Sequence, residues 1–183
     1  RFPRAWEISD APDNAYSDGR IAEESIKRLQ AATAKKGSPY FLAVGFTKPH
    51  LPFTAPRKYW DMHDPKKFKL AENTNPPQDA PPVAGKHGGE ITNYKDIPLR
   101  KPLPLALKRQ LIHGYYASTS YVAAQIGKVI AELDRLISDQ LSAIMHAPPF
   151  QKLVTQFLSS GSGCSPPISD NALFSTNRFV AGW

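Results

Sequence analysis

The chain has 183 residues, a formal net charge of +7 and a pI near 9.5. Its length suffices for one domain with a real core or for a piece of a larger domain. The positive charge favours an anionic partner, but the basic residues are scattered, which argues against a nucleic-acid partner. No apolar stretch approaches the length that a transmembrane helix needs.

The start of the chain and its cysteine content limit the classes of protein to which it can belong. The chain begins at Arg1 without an initiator methionine or an apolar leader, so we expect it to be internal to a longer protein. Its single cysteine, Cys164, excludes an intrachain disulfide and a zinc site built from several cysteines. Cys164 lies in a Ser/Gly/Pro-rich stretch, where we expect an ordinary loop thiol.

The first elements predicted along the chain are a helix and a strand. Residues 1–17 are irregular, with Pro3 and Pro12 among small polar residues. A helix is predicted from Asp18, its expected cap, to Lys35, since apolar residues recur there every three or four positions. The uniformly apolar run 40–46 is then predicted as a strand buried on both faces. A helix followed by such a strand indicates an α/β fold with a parallel sheet.

The end of the predicted strand is the first candidate site. The apolar run stops at Lys48, Pro49 and His50, and Pro52 follows. Ligands of open α/β sheets bind just outside the carboxyl ends of the strands. Lys48 and His50 are therefore candidate substrate-binding residues for an anion, although either could instead be a structural or solvated side chain.

Residues 49–104 form a long proline-rich stretch without periodicity. Long loops in compact domains are either functional or disordered, and the interleaved aromatic residues argue for order. We expect an ordered excursion that covers the carboxyl edge of the sheet. A short helix is predicted within it at Pro56, Tyr59 and Trp60.

A long amphipathic helix is predicted from Leu105 to Leu136. Its apolar residues are spaced by threes and fours throughout, although Gly114 and Gly127 each cost about 1 kcal/mol relative to alanine. After Leu136 the composition changes. We therefore divide the chain into a domain of residues 1–136 and an atypical tail of residues 137–183, which is expected to pack poorly.

Three stretches of the sequence resemble the sulfatases, in particular the iduronate-2-sulfatase-like branch. They read F-L-A-V-G-F-T-K-P-H-L-P-F at residues 41–53, G-Y-Y-A-S-T-S-Y-V-A-A-Q-I-G at 114–127 and D-G-R-I-A at 18–22. The resemblance covers about residues 6–136. It implies an alkaline-phosphatase-like α/β fold, of which this chain would be a part, and hydrolysis of sulfuric esters of carbohydrates.

The resemblance also implies a catalytic apparatus and a location. Family members use a formylglycine, made from cysteine or serine in a C/S-x-P-x-R motif, and a calcium ion that polarises the sulfate. His50 matches the family's active-site histidine, with Lys48 adjacent to it. Members of this type work in the periplasm, outside the cell or in lysosomes.

The sequence departs from the family pattern at the nucleophile and the metal. It contains no C/S-x-P-x-R motif, and an Asp-His-Gly motif does not follow the long helix. Ala123 stands where relatives usually carry aspartate. We expect a fragment that is truncated at its start and diverged or frameshifted after Leu136. It would lack calcium ligands and would not turn over alone.

Two alternatives remain open. One is a catalytically inactive basic module that binds sulfated glycans, with which the charge of +7 is compatible. The other is phosphoryl hydrolysis on the same fold, which would need a serine or threonine nucleophile and two metal ions. The oligomeric state is not indicated by the sequence.

Overall fold

The computed structural model describes residues 2–35, 38–73, 75, 77–85, 88–99 and 101–160. Helices and strands alternate at the start of the chain, whereas its later part is helical. The elements are β1 (Trp6–Ser9), α1 (Ser17–Ala34), β2 (Phe53–Pro56), α2 (Arg57–Trp60), α3 (Leu105–Met145) and α4 (Pro148–Ser160). Short 3-10 turns occur at Asp13–Ala15, Pro65–Lys67, Pro82–Gly85 and Gly89–Asn93.

The sheet consists of β1 and β2, which run parallel with Trp6 opposite Phe53 and Ser9 opposite Pro56. This parallel pair confirms the α/β class. The prediction that residues 1–17 are irregular is wrong for β1. The stretch W-E-I-S does alternate, with Glu7 exposed between half-buried Trp6 and Ile8, but four residues are too few for a clear periodic signal.

The prediction of a strand at residues 40–46 is also wrong, because no strand of the described chain pairs with this run. The segment nevertheless alternates as an extended chain does. Leu42, Val44 and Phe46 are half-buried, whereas Phe41 is 92% exposed. A strand is defined by hydrogen bonds to a neighbour, and hydrophobicity alone does not supply the neighbour.

The helix predicted from Asp18 is confirmed as α1, but Asp18 does not cap it. Tyr16 is the N-cap residue and makes no side-chain capping bond. Asp18 lies within the first turn, fully buried, and its carboxylate accepts hydrogen bonds from another segment. The predicted short helix is confirmed as α2, and the predicted long helix is confirmed and extends to Met145.

The core lies where α2 and α3 pack beside the sheet. Its buried residues are Ala55, Tyr59, Trp60, Ala117 and Tyr121. Burying large aromatic side chains of this kind contributes most of the hydrophobic stabilisation that a small domain obtains. A second cluster is built from Ala5, Tyr94, Ile97 and Leu111, so the N-terminal segment and α3 meet there as well.

Asp13 is the main polar connection between the 3-10 turn before α1 and the two later helices. Its carboxylate accepts hydrogen bonds from Tyr59, Gln125 and Lys128 and lies 2.7 Å from the Lys58 ammonium. Burial alone would raise the pKa of Asp13. The hydrogen bonds, from Lys128 foremost, outweigh burial and hold the pKa well below its usual value.

The two glycines within α3 are expected to respond oppositely to replacement by alanine. A Cβ on Gly114 would lie 2.8 Å from Cβ of Phe53 and 3.0 Å from the Trp60 ring, whereas a Cβ on Gly127 would have no neighbour within 4 Å. We expect Gly127→Ala to stabilise the chain by about 1 kcal/mol through helix propensity. Gly114→Ala should destabilise it, because the half-buried Phe53 and the buried Trp60 must move.

Urea unfolding of the two variants, followed by circular dichroism, measures both effects against the unmodified chain. Each variant serves as the control for the other, since both add one methyl group to the same helix. Equal stabilisation by both substitutions would contradict the close approach of α3 to β2 and α2 at Gly114.

The chain separates into a unit of residues Arg1–Ile137 and a second unit that begins at Ser138. In the second unit, as far as Ser160, the large apolar side chains are exposed, among them Leu141, Phe157 and Leu158. None of the described helices is long and apolar enough to cross a membrane. The predicted boundary after residue 136 stays a prediction, and Cys164 and the rest of residues 161–183 lie outside the described residues.

Candidate functional site

The candidate site is the loop of residues 47–53, which leads into β2. The loop turns tightly, since the backbone N–H of His50 donates to the carbonyl of Thr47 at 3.1 Å. The Lys48–Pro49 and Leu51–Pro52 peptide bonds are both cis. At its far end the backbone N–H of Phe53 donates to the carbonyl of Ala5 at 2.7 Å, which joins the loop to the sheet.

Asp18 fixes the start of this loop. Its side chain is fully buried, and its two oxygens accept hydrogen bonds from the backbone N–H groups of Thr47, at 2.9 Å, and Lys48, at 2.8 Å. A buried carboxylate that receives one bond on each oxygen holds both donors in a defined geometry. Asp18 is therefore a positioning residue for the loop. The sequence offered D-G-R-I-A as a signal, but its assignment as a helix cap missed this function.

The helix end that carries Asp18 is itself attached to α3. The backbone N–H of Gly19 donates to the hydroxyl of Tyr121 at 2.6 Å, and that hydroxyl donates to the carbonyl of Asp13 at 3.0 Å. Burial raises the pKa of Tyr121 to about 12, so the hydroxyl keeps its proton near neutral pH. A Cβ on Gly19 would lie 2.1 Å from the Asp13 carbonyl oxygen, and this position therefore requires glycine.

The ammonium group of Lys48 points at the loop's own backbone. Its Nζ donates to the carbonyls of Pro52, at 2.6 Å, and His50, at 3.1 Å. Burial lowers the pKa of Lys48, an effect that the negative charge of Asp18 partly opposes. Lys48 thus binds two carbonyl groups of the turn, and its predicted contact with substrate stays a prediction.

His50 presents its ring to solvent, with its side chain 62% exposed. Its Nδ1 lies 2.7 Å from the carbonyl oxygen of Leu51, and its Nε2 lies 3.3 Å from a carboxylate oxygen of Glu90. Since both ring nitrogens face oxygen acceptors, only the doubly protonated imidazolium satisfies both contacts. Nε2 lies at the surface beside the Glu90 carboxylate, so an anionic ligand would have to take the place of Glu90 to accept a hydrogen bond from this nitrogen.

In the parts of the chain that the structure describes, no three side chains from His, Cys, Asp and Glu converge as ligands. Asp18 is committed to two backbone donors, and Glu90 contacts His50 and the hydroxyl of Tyr94. The donor set that calcium prefers, six or more oxygens, is not assembled by these residues.

The chain is similar in sequence to several curated sulfatases. Over 136 residues the chain is 32% identical to an iduronate 2-sulfatase from Mus musculus, a match that covers 71% of this chain and 24% of that protein. It is 30% identical to an arylsulfatase from Clostridium perfringens over 121 residues, which are 66% of this chain and 23% of the relative. A sulfatase from Formosa agariphila is 30% identical over 105 residues, 52% of the chain and 18% of the relative.

No family model matches the chain. The chain spans about a quarter of the length of the curated relatives it matches, or less. All of these relatives are nevertheless named as sulfatases. They confirm the resemblance that residues 18–22, 41–53 and 114–127 predicted.

Proposed function

The chain belongs to the sulfatase family, and on that premise we propose that it contributes His50 to a site that hydrolyses sulfuric esters of sugars. The observation that carries the proposal is the exposed imidazole of His50 on a loop whose start is fixed by a buried carboxylate. In this proposal the α/β unit of β1, β2, α1 and α3 is part of an alkaline-phosphatase-like domain.

His50 has a chemical function suited to this reaction. Hydrolysis of a sulfuric ester breaks the bond between sulfur and the sugar oxygen, and that oxygen departs with a negative charge. A positioned imidazolium can donate a hydrogen bond to a sulfate oxygen or give its proton to the leaving oxygen. Lys48 keeps the loop in shape by binding its carbonyls, while Asp18 fixes the backbone at its start.

The nucleophile and the metal belong to the complete enzyme. We propose that the formylglycine and calcium of the family come from residues outside this chain, since its sequence contains no C/S-x-P-x-R motif. When bound, calcium would polarise the sulfate group. The 183-residue chain alone is therefore expected to release no sulfate from an aryl sulfate.

A second candidate function, an inactive module that binds sulfated glycans, is favoured by the charge of +7. Both candidates predict binding of sulfated sugars, but only the first needs His50 at the point of contact. Salt-sensitive retention on heparin that survives His50→Ala unchanged would support the second candidate.

The proposal is tested by titrating the chain with inorganic sulfate and following its histidine resonances by NMR. We expect saturable shifts of the His50 ring, lost in His50→Ala. His63 is the matched control, because it is half-buried and its Nε2 lies 2.8 Å from the Ser120 hydroxyl, whereas the side chain of His50 is 62% exposed. Uniform shifts of all histidines, or none at His50, would contradict the proposed anion site.

A further inference from the structure

The carboxylate of Glu90 lies beside the one ring nitrogen of His50 that does not face its own loop. A Glu90 oxygen is 3.3 Å from Nε2 of His50, whereas Nδ1 of the same ring is 2.7 Å from the carbonyl oxygen of Leu51. A ligand oxygen that accepts a hydrogen bond from Nε2 would therefore need the place that Glu90 holds. The side chain of Glu90 and an anionic ligand exclude one another at this nitrogen.

The contact between Glu90 and His50 is weak enough to exchange. The two side chains are 41% and 62% exposed. Ion pairs between exposed side chains contribute little, because water and salt screen the charges and the pairing fixes two mobile side chains. A distance of 3.3 Å is also longer than the usual range for an N–H···O bond. An anion in solution can therefore displace Glu90 from the ring.

Glu90 has a second hydrogen-bond partner that does not depend on His50. Its other carboxylate oxygen accepts from the hydroxyl of Tyr94 at 3.3 Å, and Tyr94 is only 3% exposed. Burial, together with the charge of Glu90, raises the pKa of Tyr94, so the hydroxyl remains a donor near neutral pH. Glu90 can thus leave the imidazole and keep the bond to Tyr94, which holds the carboxylate close to the site.

The 3-10 turn that carries Glu90 is attached at its end and begins with two glycines. The backbone N–H of Phe2 donates to the carbonyl of Asn93 at 2.7 Å, which joins the end of the turn to the N-terminal segment. At its start, Gly88 and Gly89 have φ angles of 97° and 60°. Glycine adopts positive φ without the steric cost that other residues incur. The turn therefore keeps Glu90 within reach of the imidazole.

We propose that Glu90 is a built-in competitor for the anion position at His50 and sets how tightly an anion binds there. The inference rests on the proposed function, because it takes His50 to receive the sulfate group. Since Glu90 belongs to the same fold, its carboxylate has a fixed effective concentration at the ring, which a free anion must overcome. Its negative charge also repels the incoming anion.

The test is an NMR titration of the Glu90→Gln chain with inorganic sulfate, followed at the His50 ring. Glutamine keeps the size of the side chain and an oxygen for the Tyr94 hydroxyl, but it carries no charge. We expect the Kd for sulfate to fall about two- to fivefold relative to the unmodified chain, the scale of one exposed ion pair.

Glu7→Gln is the matched control for Glu90→Gln. Glu7 is an exposed carboxylate that lines the same cavity as Glu90, but its contact is with the hydroxyl of Tyr16. Its neutralisation removes the same charge from the same region without freeing Nε2 of His50, so the Kd for sulfate should stay nearly unchanged. An equal fall in both variants would overturn the inference, because it would reduce the effect of Glu90 to general charge repulsion.

The outcome at His50 separates this inference from the proposed function. Saturable sulfate shifts at His50 with the same Kd in the Glu90→Gln and unmodified chains would overturn the inference and leave the proposed function standing. Sulfate shifts that are absent from His50 in both chains would contradict the proposed function itself. A lower Kd in Glu90→Gln alone supports the competition between Glu90 and the anion.

Discussion

Asp18→Ala is expected to lower the free energy of unfolding by about 3 kcal/mol, because it leaves two backbone donors without an acceptor. Those donors are the N–H groups of Thr47 and Lys48, which lie 2.9 and 2.8 Å from a carboxylate that is fully buried. The methyl group of alanine has no oxygen that could accept a hydrogen bond from either of them. The loss should appear both as a lower urea midpoint and as faster amide exchange at Thr47 and Lys48.

Glu23→Ala provides the matched control for this substitution. Glu23 is an acidic residue of the same helix, but its side chain is exposed. Its removal should change stability by less than about 0.5 kcal/mol. Asp18→Asn should lie between the two, since an amide keeps one acceptor oxygen. Equal stability of Asp18→Ala and Glu23→Ala would exclude the assignment of Asp18 as the residue that fixes the loop.

The second large effect concerns turnover by a polypeptide that carries this segment together with a nucleophile and a metal site. There, His50→Ala should reduce kcat about 10²- to 10⁴-fold, the range typical of a lost acid–base or proton-donating group. The structural reason is that no other side chain of the loop could replace the exposed imidazole, since the Lys48 ammonium is bonded to the carbonyls of His50 and Pro52.

The comparison between kcat and KM separates a catalytic function of His50 from simple substrate binding. If His50 acts mainly on the leaving oxygen, kcat falls while KM changes little. His63→Ala is again the control, because it removes an imidazole bonded to Ser120 within the contact between the α2 region and α3. A turnover unchanged by His50→Ala would refute the proposed assignment.

The helices were predictable from the sequence because their signal is local. Apolar residues at helical spacing indicated α1 and α3 to within a few residues at the start of each helix. The run 40–46 was not predictable in the same way, since its conformation depends on whether a neighbouring strand is present. β1 was missed for a related reason. Its four residues form a strand because Phe53, 47 positions later in register, pairs with Trp6.

The candidate site shows the same limit. His50 stood out because it belongs to an unusual string, K-P-H-L-P-F, that is shared with a known family. The residues that contact His50 and its loop in the fold could not be recognised in the sequence. The carboxylate that fixes the loop comes from a residue 30 positions before Lys48, and the acidic neighbour of the ring is Glu90, 40 positions after His50. Contacts of this kind follow from the folded backbone and leave no local pattern.

The bond between Gly19 and Tyr121 has a consequence for how the chain is made. The two residues are 102 positions apart, and the Tyr121 hydroxyl also reaches Asp13, 108 positions away. A nascent polypeptide that ends before Tyr121 contains the whole His50 loop but lacks the hydroxyl that receives the Gly19 N–H. During synthesis on the ribosome, the contacts that hold the start of α1 are therefore completed only after α3 has emerged as far as Tyr121.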